Sequence, residues 1–229
     1  MLISKQNKLA ITFKDDKYTY EQLLRYSQIY ANVFASQSNP KKVLICAQNS
    51  PEWCFAFYGA MRCKSIVVPL DVQSTKKEIE YVINDCRPDI VFISEDKQEM
   101  FNDINLQGAR LMTKNDVVLS DNEDILATDI PLGAAEETML INYTSGTTGS
   151  PKGVMLTFKN VMFNVDSVSK QVPIFQPDSN VMVLLPLHHI LPLLGSLVAP
   201  LYMGGTLHIA EAMNAESIIK TLNAGKVSI

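Results

Sequence analysis

Three runs of almost uninterrupted apolar residues, at 42–47, 65–70 and 89–93, alternate along the chain with two stretches of helical character. Such runs are typical of strands that are buried on both faces of a parallel sheet. Strand, helix, strand, helix and strand in this order require right-handed crossovers, which place helices on both faces. The sequence therefore predicts an α/β fold, with a mainly parallel sheet over about residues 41–93.

Helix start signals lie between these runs. Ser50 is followed by Pro51 and Glu52, which is the order of an N-cap, a first-position proline and a first-turn acid. Thr75 and Glu78 have the spacing of a capping box. We therefore expect one helix to begin after Ser50 and a second to begin after Thr75.

The N-terminal residues predict a β-hairpin followed by a helix. Segments 9–13 and 17–19 alternate between apolar and polar residues, with a charged turn between them. Thr19 and Gln22 form another capping box, for a helix that we expect to run to about residue 37.

A second sheet is predicted to begin within about residues 179–229. Its expected strands are at 180–185 and 206–209, and the expected helices are at 157–170 and 214–223. A further strand begins at 226–229 and is unfinished. We therefore expect the chain to be a piece of a longer protein.

Two other stretches have less regular patterns. Residues 95–136 are more acidic and less periodic, and we expect an irregular excursion with at most short strands. The apolar run at 190–203 contains two prolines and is shorter than the roughly 20 residues that a membrane span needs. A buried helix is the better interpretation, so we expect no transmembrane segment.

Composition excludes several classes of protein. Of the 229 residues, 47% are hydrophobic and 19% are charged, which is typical of a globular protein rather than a disordered one. The net charge of −4 and the lack of a basic stripe give no reason to expect nucleic acid. The N-terminus lacks the apolar core of a signal peptide, so we expect a cytoplasmic location.

The four cysteines have neither CxxC spacing nor a nearby histidine cluster, which argues against a zinc site. They lie in apolar contexts, and we expect reduced, buried thiols.

The segment at 143–153 has the composition of a phosphate-binding loop. Its glycines allow the backbone to come close to an anion, and its hydroxyls can donate to phosphate oxygens or bind a magnesium ion. Lys152 adds a positive charge. The candidate nucleotide-binding residues are Thr144, Ser145, Gly146, Thr147, Thr148, Gly149 and Lys152, with Thr147 and Thr148 as the candidate magnesium ligands.

Two other interpretations of this loop were considered. A flexible Gly/Ser linker is disfavoured because 139–143 and 154–156 read as short buried strands on either side. A Walker loop is disfavoured because Pro151 precedes the lysine and Gly153 follows it, where the Walker ending requires Gly-Lys-Ser/Thr and a helix.

His188 and His189 follow the predicted strand at 180–185. Ligands of α/β sheets bind at the carboxyl ends of strands, so the pair is in a suitable place for a site. Two histidines among leucines could equally be core residues whose ring nitrogens are hydrogen-bonded. Position alone does not choose between these alternatives.

The sequence Thr-Ser-Gly-Thr-Thr-Gly-Ser-Pro-Lys-Gly at 144–153 resembles the signature loop of the adenylate-forming superfamily. This superfamily includes acyl-CoA synthetases, luciferases and the adenylation domains of peptide synthetases. The resemblance implies that the loop binds the β- and γ-phosphates of ATP while a carboxylate attacks the α-phosphate. A second landmark, an apolar strand ending in Leu-Pro-x-x-His, matches 185–189.

The resemblance also implies roles for the two histidines. It places His189 near the carboxylate and the α-phosphate, and we assign His189 and Lys152 as catalytic residues. His188 stands where many relatives have an aromatic residue, and we assign it to nucleotide binding. The ordinary pKa of histidine, about 6.5, allows either a neutral donor or a cation facing phosphate.

The implied reaction joins a carboxylic acid, expected to be a fatty acid, to the thiol of coenzyme A through an acyl-adenylate, with ATP and Mg²⁺. An acyl carrier protein could replace coenzyme A as the thiol acceptor, and an amino acid could replace the fatty acid. The protein could also form a homodimer. The resemblance covers only the N-terminal part of the large domain, so we expect 1–229 alone to be inactive. Two other classes remain open: a non-catalytic nucleotide-binding module and a phosphate-loop NTPase or kinase.

Overall fold

The computed structural model describes residues 1–121, 124–144 and 151–229, which form two sheets and their flanking helices. The strands are β1 (Leu9–Phe13), β2 (Asp16–Thr19), β3 (Lys42–Cys46), β4 (Ile66–Pro69), β5 (Ile90–Ile93), β6 (Arg110–Met112), β7 (Thr138–Thr144), β8 (Lys152–Thr157), β9 (Asn180–Val183) and β10 (Thr206–Ile209). The α-helices are α1 (Tyr20–Phe34), α2 (Pro51–Arg62), α3 (Lys76–Cys86), α4 (Gln98–Asn102), α5 (Phe158–Asp166), α6 (Ile190–Leu193), α7 (Ala199–Met203) and α8 (Ala215–Gly225).

The larger sheet has six strands in the order β6-β5-β3-β4-β7-β8. All neighbouring strands pair in parallel except β7 and β8, which form an antiparallel hairpin. Helix α2 packs against one face, in the larger core cluster, and α3 packs against the other face. The predicted α/β fold with a mainly parallel, helix-flanked sheet is confirmed.

The smaller sheet has four strands in the order β2-β1-β10-β9. The N-terminal hairpin thus joins the strands predicted near the C-terminus, a long-range pairing that local sequence patterns do not reveal. Residues 227–229 are not assigned to a strand, yet Ser228 and Ile229 both donate backbone hydrogen bonds to Asn180 O beside β9. Helix α2 contacts β3 and β4 of the larger sheet and β1 of the smaller one, so it joins the two sheets.

The helices begin where the capping residues predict. The Thr19 and Thr75 side chains accept hydrogen bonds from the backbone N–H groups of Gln22 and Glu78, and both capping boxes are complete. Ser50 caps α2 through the Trp53 N–H, with proline at the first position. These caps satisfy backbone donors that the first turn of a helix leaves without partners.

One expectation is wrong. Residues 154–156 were predicted to be a buried strand, but β8 is the edge strand of its sheet, and Val154 and Met155 are 46% and 67% exposed. Apolar composition alone does not show whether a strand is central or at an edge. Within the described part of 95–136, the three-residue strand β6 extends the larger sheet in parallel with β5, which agrees with the expectation of at most short strands.

The apolar run at 190–203 forms one helical stretch, in which α6 and α7 flank a π-helical segment, Leu194–Val198. A second π-helical segment, Ser167–Gln171, follows α5. No helix in the described part of the chain is long and apolar enough to cross a membrane. The four cysteines are buried and free, as the sequence predicts.

Candidate active site

The predicted phosphate loop connects the two strands of the β7–β8 hairpin. Thr144 and Lys152 are opposite each other at the end of the hairpin, and Tyr143 is opposite Gly153. The loop therefore begins at the carboxyl end of β7, which neighbours the parallel strand β4. The predicted ligands Ser145, Gly146, Thr147, Thr148 and Gly149 lie outside the described residues.

Thr144 and Lys152 are both exposed. Residues directly opposite each other in an antiparallel pair project from the same face of the sheet, so both side chains lie on one face at the base of the loop. In the described part of the chain, no carboxylate forms an ion pair with Lys152. The ammonium group is therefore available to an anionic ligand.

Asn142 connects this hairpin to the histidine segment. Because side chains alternate along a strand, Asn142 projects from the same face as Thr144, two residues later. Its side chain is buried, and Nδ2 donates to the backbone O of His188 at 2.7 Å. The structure thus brings together two motifs that are more than 40 residues apart in the sequence, and both face the same side of the larger sheet.

The two histidines have different environments. The His188 side chain is 12% exposed, whereas His189 is exposed. Their ring centroids are 4.0 Å apart. His189 lies at the N-cap position of α6, and its backbone O accepts a hydrogen bond from Leu193 N. An exposed ring at this position can reach a ligand on the open side of the site.

Burial lowers the pKa of His188, and His189 lowers it further, while Asp71 has the opposite effect. His188 Nε2 is 3.7 Å from Asp71 Oδ2, which is too long for a hydrogen bond, and it has no hydrogen-bond partner among the described residues. Since its pKa lies below the ordinary value of about 6.5, His188 is neutral at pH 7. Its buried ring nitrogen therefore has no partner in the described part of the chain.

A cleft of about 460 Å³ lies beside His188, between the carboxyl ends of strands from both sheets. It is lined by Gln48 and Gln73, which follow β3 and β4, by Lys97, and by Glu211, which follows β10. Ligand sites of α/β folds occur at this edge. Neither Lys97 nor Asn142 is among the site residues predicted from the sequence, although a single asparagine inside the apolar run at 139–143 is a detectable signal. No cluster of three potential metal ligands occurs among residues 1–121, 124–144 and 151–229.

Comparison with known protein families identifies the chain. The sequence pattern of the AMP-binding enzyme family matches residues 4–229. The chain belongs to this family. Its membership of the adenylate-forming superfamily agrees with the resemblance of the loop at 144–153 and the segment at 185–189.

Similar proteins include several ligases. The D-alanine–D-alanyl carrier protein ligase of Staphylococcus haemolyticus is 30% identical over 159 residues, which cover 69% of this chain and 31% of the relative. The long-chain-fatty-acid–CoA ligase FadD13 of Mycobacterium tuberculosis is 27% identical over 187 residues, covering 77% and 36%. The ATP-bound crystal structure of MatB from Rhodopseudomonas palustris has a TM-score of 0.83 at 25% identity, covering 98% and 47%.

These comparisons define the fold and the extent of the chain. The described fold matches the N-terminal region of adenylate-forming enzymes. The chain spans about a third of these two curated relatives and about half of the MatB structure. The relatives include both CoA ligases and a carrier protein ligase, so they support a ligase of this family without defining the acid or the thiol.

Proposed function

We propose that the whole protein is an acid–thiol ligase that works in two steps. In the first step, a carboxylate oxygen attacks the α-phosphorus of ATP, and pyrophosphate leaves. In the second, a thiol attacks the acyl carbon of the adenylate, and AMP leaves. The observation that carries this proposal is the hydrogen bond from Asn142 to His188 O, since it holds the histidine segment on the face where Thr144 and Lys152 project.

Each residue of the site has a proposed role. Lys152 stabilises the negative charge that grows on the departing pyrophosphate, because a fixed positive charge there needs no reorganisation during the reaction. Thr144 donates to a phosphate oxygen, together with the loop residues 145–149. His189 orients the carboxylate, and the neutral ring of His188 supplies a hydrogen bond to the nucleotide.

Thr147 and Thr148 are the proposed protein ligands of a magnesium ion, which would supply positive charge to the phosphates when bound. The described part of the site fits an ATP–magnesium complex, because an unpaired cation and an exposed hydroxyl project together at the start of the loop.

We propose a fatty acid as the carboxylate. An apolar cavity of about 250 Å³ lies beside the residues that follow His189, between α5 and the helical stretch at 190–203. It is lined mainly by aliphatic side chains, with two asparagine amides on α5; the residues are Leu156, Asn160, Val161, Asn164, Val165, Val168, Ile190, Leu191, Leu194, Gly195 and Ala199. Such a lining suits a hydrocarbon chain whose carboxylate is at His189.

We propose coenzyme A as the thiol, consistent with the CoA ligases among the relatives. A carrier-protein thiol is the alternative, favoured by the similarity to the D-alanine–D-alanyl carrier protein ligase. We also propose that residues 1–229 alone bind ATP weakly and do not turn over, since catalysis depends on aligning groups from the whole site.

The test is carboxylate-dependent ATP–pyrophosphate exchange by the full-length protein, with acids from acetate to long-chain fatty acids and amino acids. Exchange that appears only with fatty acids supports the proposal. Exchange with amino acids alone shows that the substrate is an amino acid rather than a fatty acid. ATP binding without exchange for any acid contradicts the ligase proposal and favours a nucleotide-binding module. A second assay identifies the thiol by detecting which thioester forms, that of coenzyme A or that of a carrier protein.

A further inference from the structure

The segment 185–188, between β9 and α6, is held by side chains rather than by a strand ladder. Asn49 Nδ2 donates to the backbone O of Leu185 at 2.9 Å, and Asn49 Oδ1 accepts from the backbone N–H of Leu187 at 3.0 Å. Asn142 Nδ2 donates to His188 O at 2.7 Å. Three hydrogen bonds therefore link two asparagine side chains to three of the four residues before His189.

Asn142 belongs to the larger sheet and Asn49 follows its strand β3, whereas the segment that they hold follows a strand of the smaller sheet. Asn49 lies between β3 and α2, directly before the Ser50 cap, and Asn142 lies within β7. Asn142 is therefore on a buried strand, and Asn49 is in the turn between β3 and the capped start of α2. The segment itself forms a turn, in which His189 N–H donates to Pro186 O at 3.2 Å, but Pro186 has no N–H to donate and β9 has already ended at Val183.

The contacts also determine the orientation of the Asn49 amide. Its oxygen faces a backbone donor and its nitrogen faces a backbone acceptor, so the reversed orientation would place donor against donor and acceptor against acceptor. An amide group carries its donor and its acceptor on separate atoms, so it satisfies both partners at once. Asn142 is 7% exposed, so its bond to His188 O lies in a largely water-free environment, where the loss of one partner is costly.

We propose that Asn49 and Asn142 are positioning residues that hold His188 and His189 at a fixed place relative to Lys152. The proposal rests on the proposed function. Asn49 also lines the cleft beside His188, and we assign both asparagines a role through the backbone of the histidine segment rather than through contact with the reacting atoms. The histidines follow a strand of the smaller sheet, whereas the phosphate loop belongs to the larger sheet. Without the two asparagines, small shifts between these parts would misalign the carboxylate and the α-phosphate.

The first test is kinetic and uses the full-length protein. We expect Asn49→Ala and Asn142→Leu each to lower kcat for exchange by about 10- to 100-fold, because a misplacement of about 1 Å costs this much. Asn49→Ala should raise the KM for ATP less than Lys152→Ala does, because Asn49 affects the nucleotide only through His188, whereas Lys152 is assigned to the outer phosphates. Asn49→Asp retains the acceptor for Leu187 N–H but loses the donor, so its kcat should lie between those of Asn49→Ala and the wild type.

The matched control is Asn39→Ala. Asn39 Nδ2 donates to Cys63 O at 3.1 Å, which is the same kind of side chain to backbone bond away from the site. Its kcat should not change. A double-mutant cycle completes the kinetic test: in a His189→Ala background, Asn49→Ala should have little further effect on kcat, because it acts through the histidine. A full, additive loss would overturn the proposal.

The second test does not require activity. We expect the NMR titration midpoint of His188 to rise towards its ordinary value in Asn142→Leu, because release of the segment exposes the ring to water. The charged or titratable groups near this ring are Asp71 and His189, with Lys97 and Glu211 in the same cleft. An unchanged midpoint would overturn the proposal. Wild-type protein without exchange would contradict the proposed function, while the titration would still decide the role of the asparagines.

Discussion

The Tyr143 hydroxyl donates a hydrogen bond to Asp85 Oδ2 at 2.5 Å, which joins β7 to the last turn of α3. Tyr143 directly precedes the Thr144–Lys152 pair, and its side chain projects from the face opposite to Asn142. The hairpin that carries the phosphate loop is therefore anchored on both faces of the sheet, by Tyr143 on one and by Asn142 on the other.

Tyr143→Phe should weaken this anchor without changing the shape of the side chain. Burial raises the pKa of Tyr143, and the bond to Asp85 raises it further, so the hydroxyl is a donor at neutral pH. We expect the free energy of unfolding to fall by about 1–2 kcal/mol, measured by urea titration. Asp85→Asn should give a smaller loss because an amide oxygen can still accept. Equal stability of wild type and Tyr143→Phe would show that the bond contributes nothing.

Lys152→Ala should weaken the binding of ATP more than that of AMP, because Lys152 is assigned to the outer phosphates. Loss of a charged hydrogen bond predicts about a 10- to 100-fold rise in the ATP dissociation constant, measured by calorimetry. Lys159→Ala is the control, since Lys159 is also exposed but pairs with Glu136 at 3.1 Å. Equal weakening of ATP and AMP by Lys152→Ala would contradict the assignment.

His189→Ala should lower carboxylate-dependent turnover on the order of 100-fold while the affinity for ATP remains, because the exposed ring is assigned to the carboxylate. The control is His208→Asn. His208 lies in β10, where its ring bonds to Thr12 Oγ1 at 2.7 Å and Asn180 Oδ1 at 3.0 Å, so its loss should reduce stability rather than kcat. Normal turnover in His189→Ala would leave this histidine with a packing role only.

Alkaline pH should destabilise the protein. Burial raises the pKa of Cys63 and Cys86 to about 11 and that of Cys46 to about 12. The unfolded chain releases these protons nearer its ordinary thiol pKa of about 8.5, so above that pH the folded state binds more protons than the unfolded state. The free energy of unfolding should therefore fall between about pH 8.5 and pH 11, as measured by urea unfolding with a reductant present. Cys86→Ala should make this pH dependence less steep.

Gly59→Val should destabilise the packing of α1 on α2. A Cβ at Gly59 would lie 2.7 Å from Tyr30 Cβ and 3.1 Å from Ser27 O. Overpacking of this kind costs about 1–3 kcal/mol, which thermal or urea unfolding can measure. Gly195→Ala is the control, because a Cβ there meets nothing within 4 Å. A Gly59→Val protein as stable as the control would show that the two helices can separate without cost.

Local patterns in the sequence determine much of this protein. The apolar runs at β3, β4 and β5 and the capping residues Thr19, Ser50 and Thr75 predict the larger sheet and its helices, because burial periodicity and helix capping act over a few residues. The loop at 144–153 and the segment at 185–189 predict the family for the same reason: each is contiguous in the chain.

Tertiary structure alone decided the rest. Three features depend on parts of the chain that are far apart in the sequence. They are the pairing of β1 with β10, the edge position of β8, and the bonds from Asn49 and Asn142 to the histidine segment. Such contacts depend on how whole sheets pack, and a side-chain amide has no local pattern that names its partner. The residue types of the site are therefore encoded locally, whereas their common face and spacing arise from the packing of two sheets.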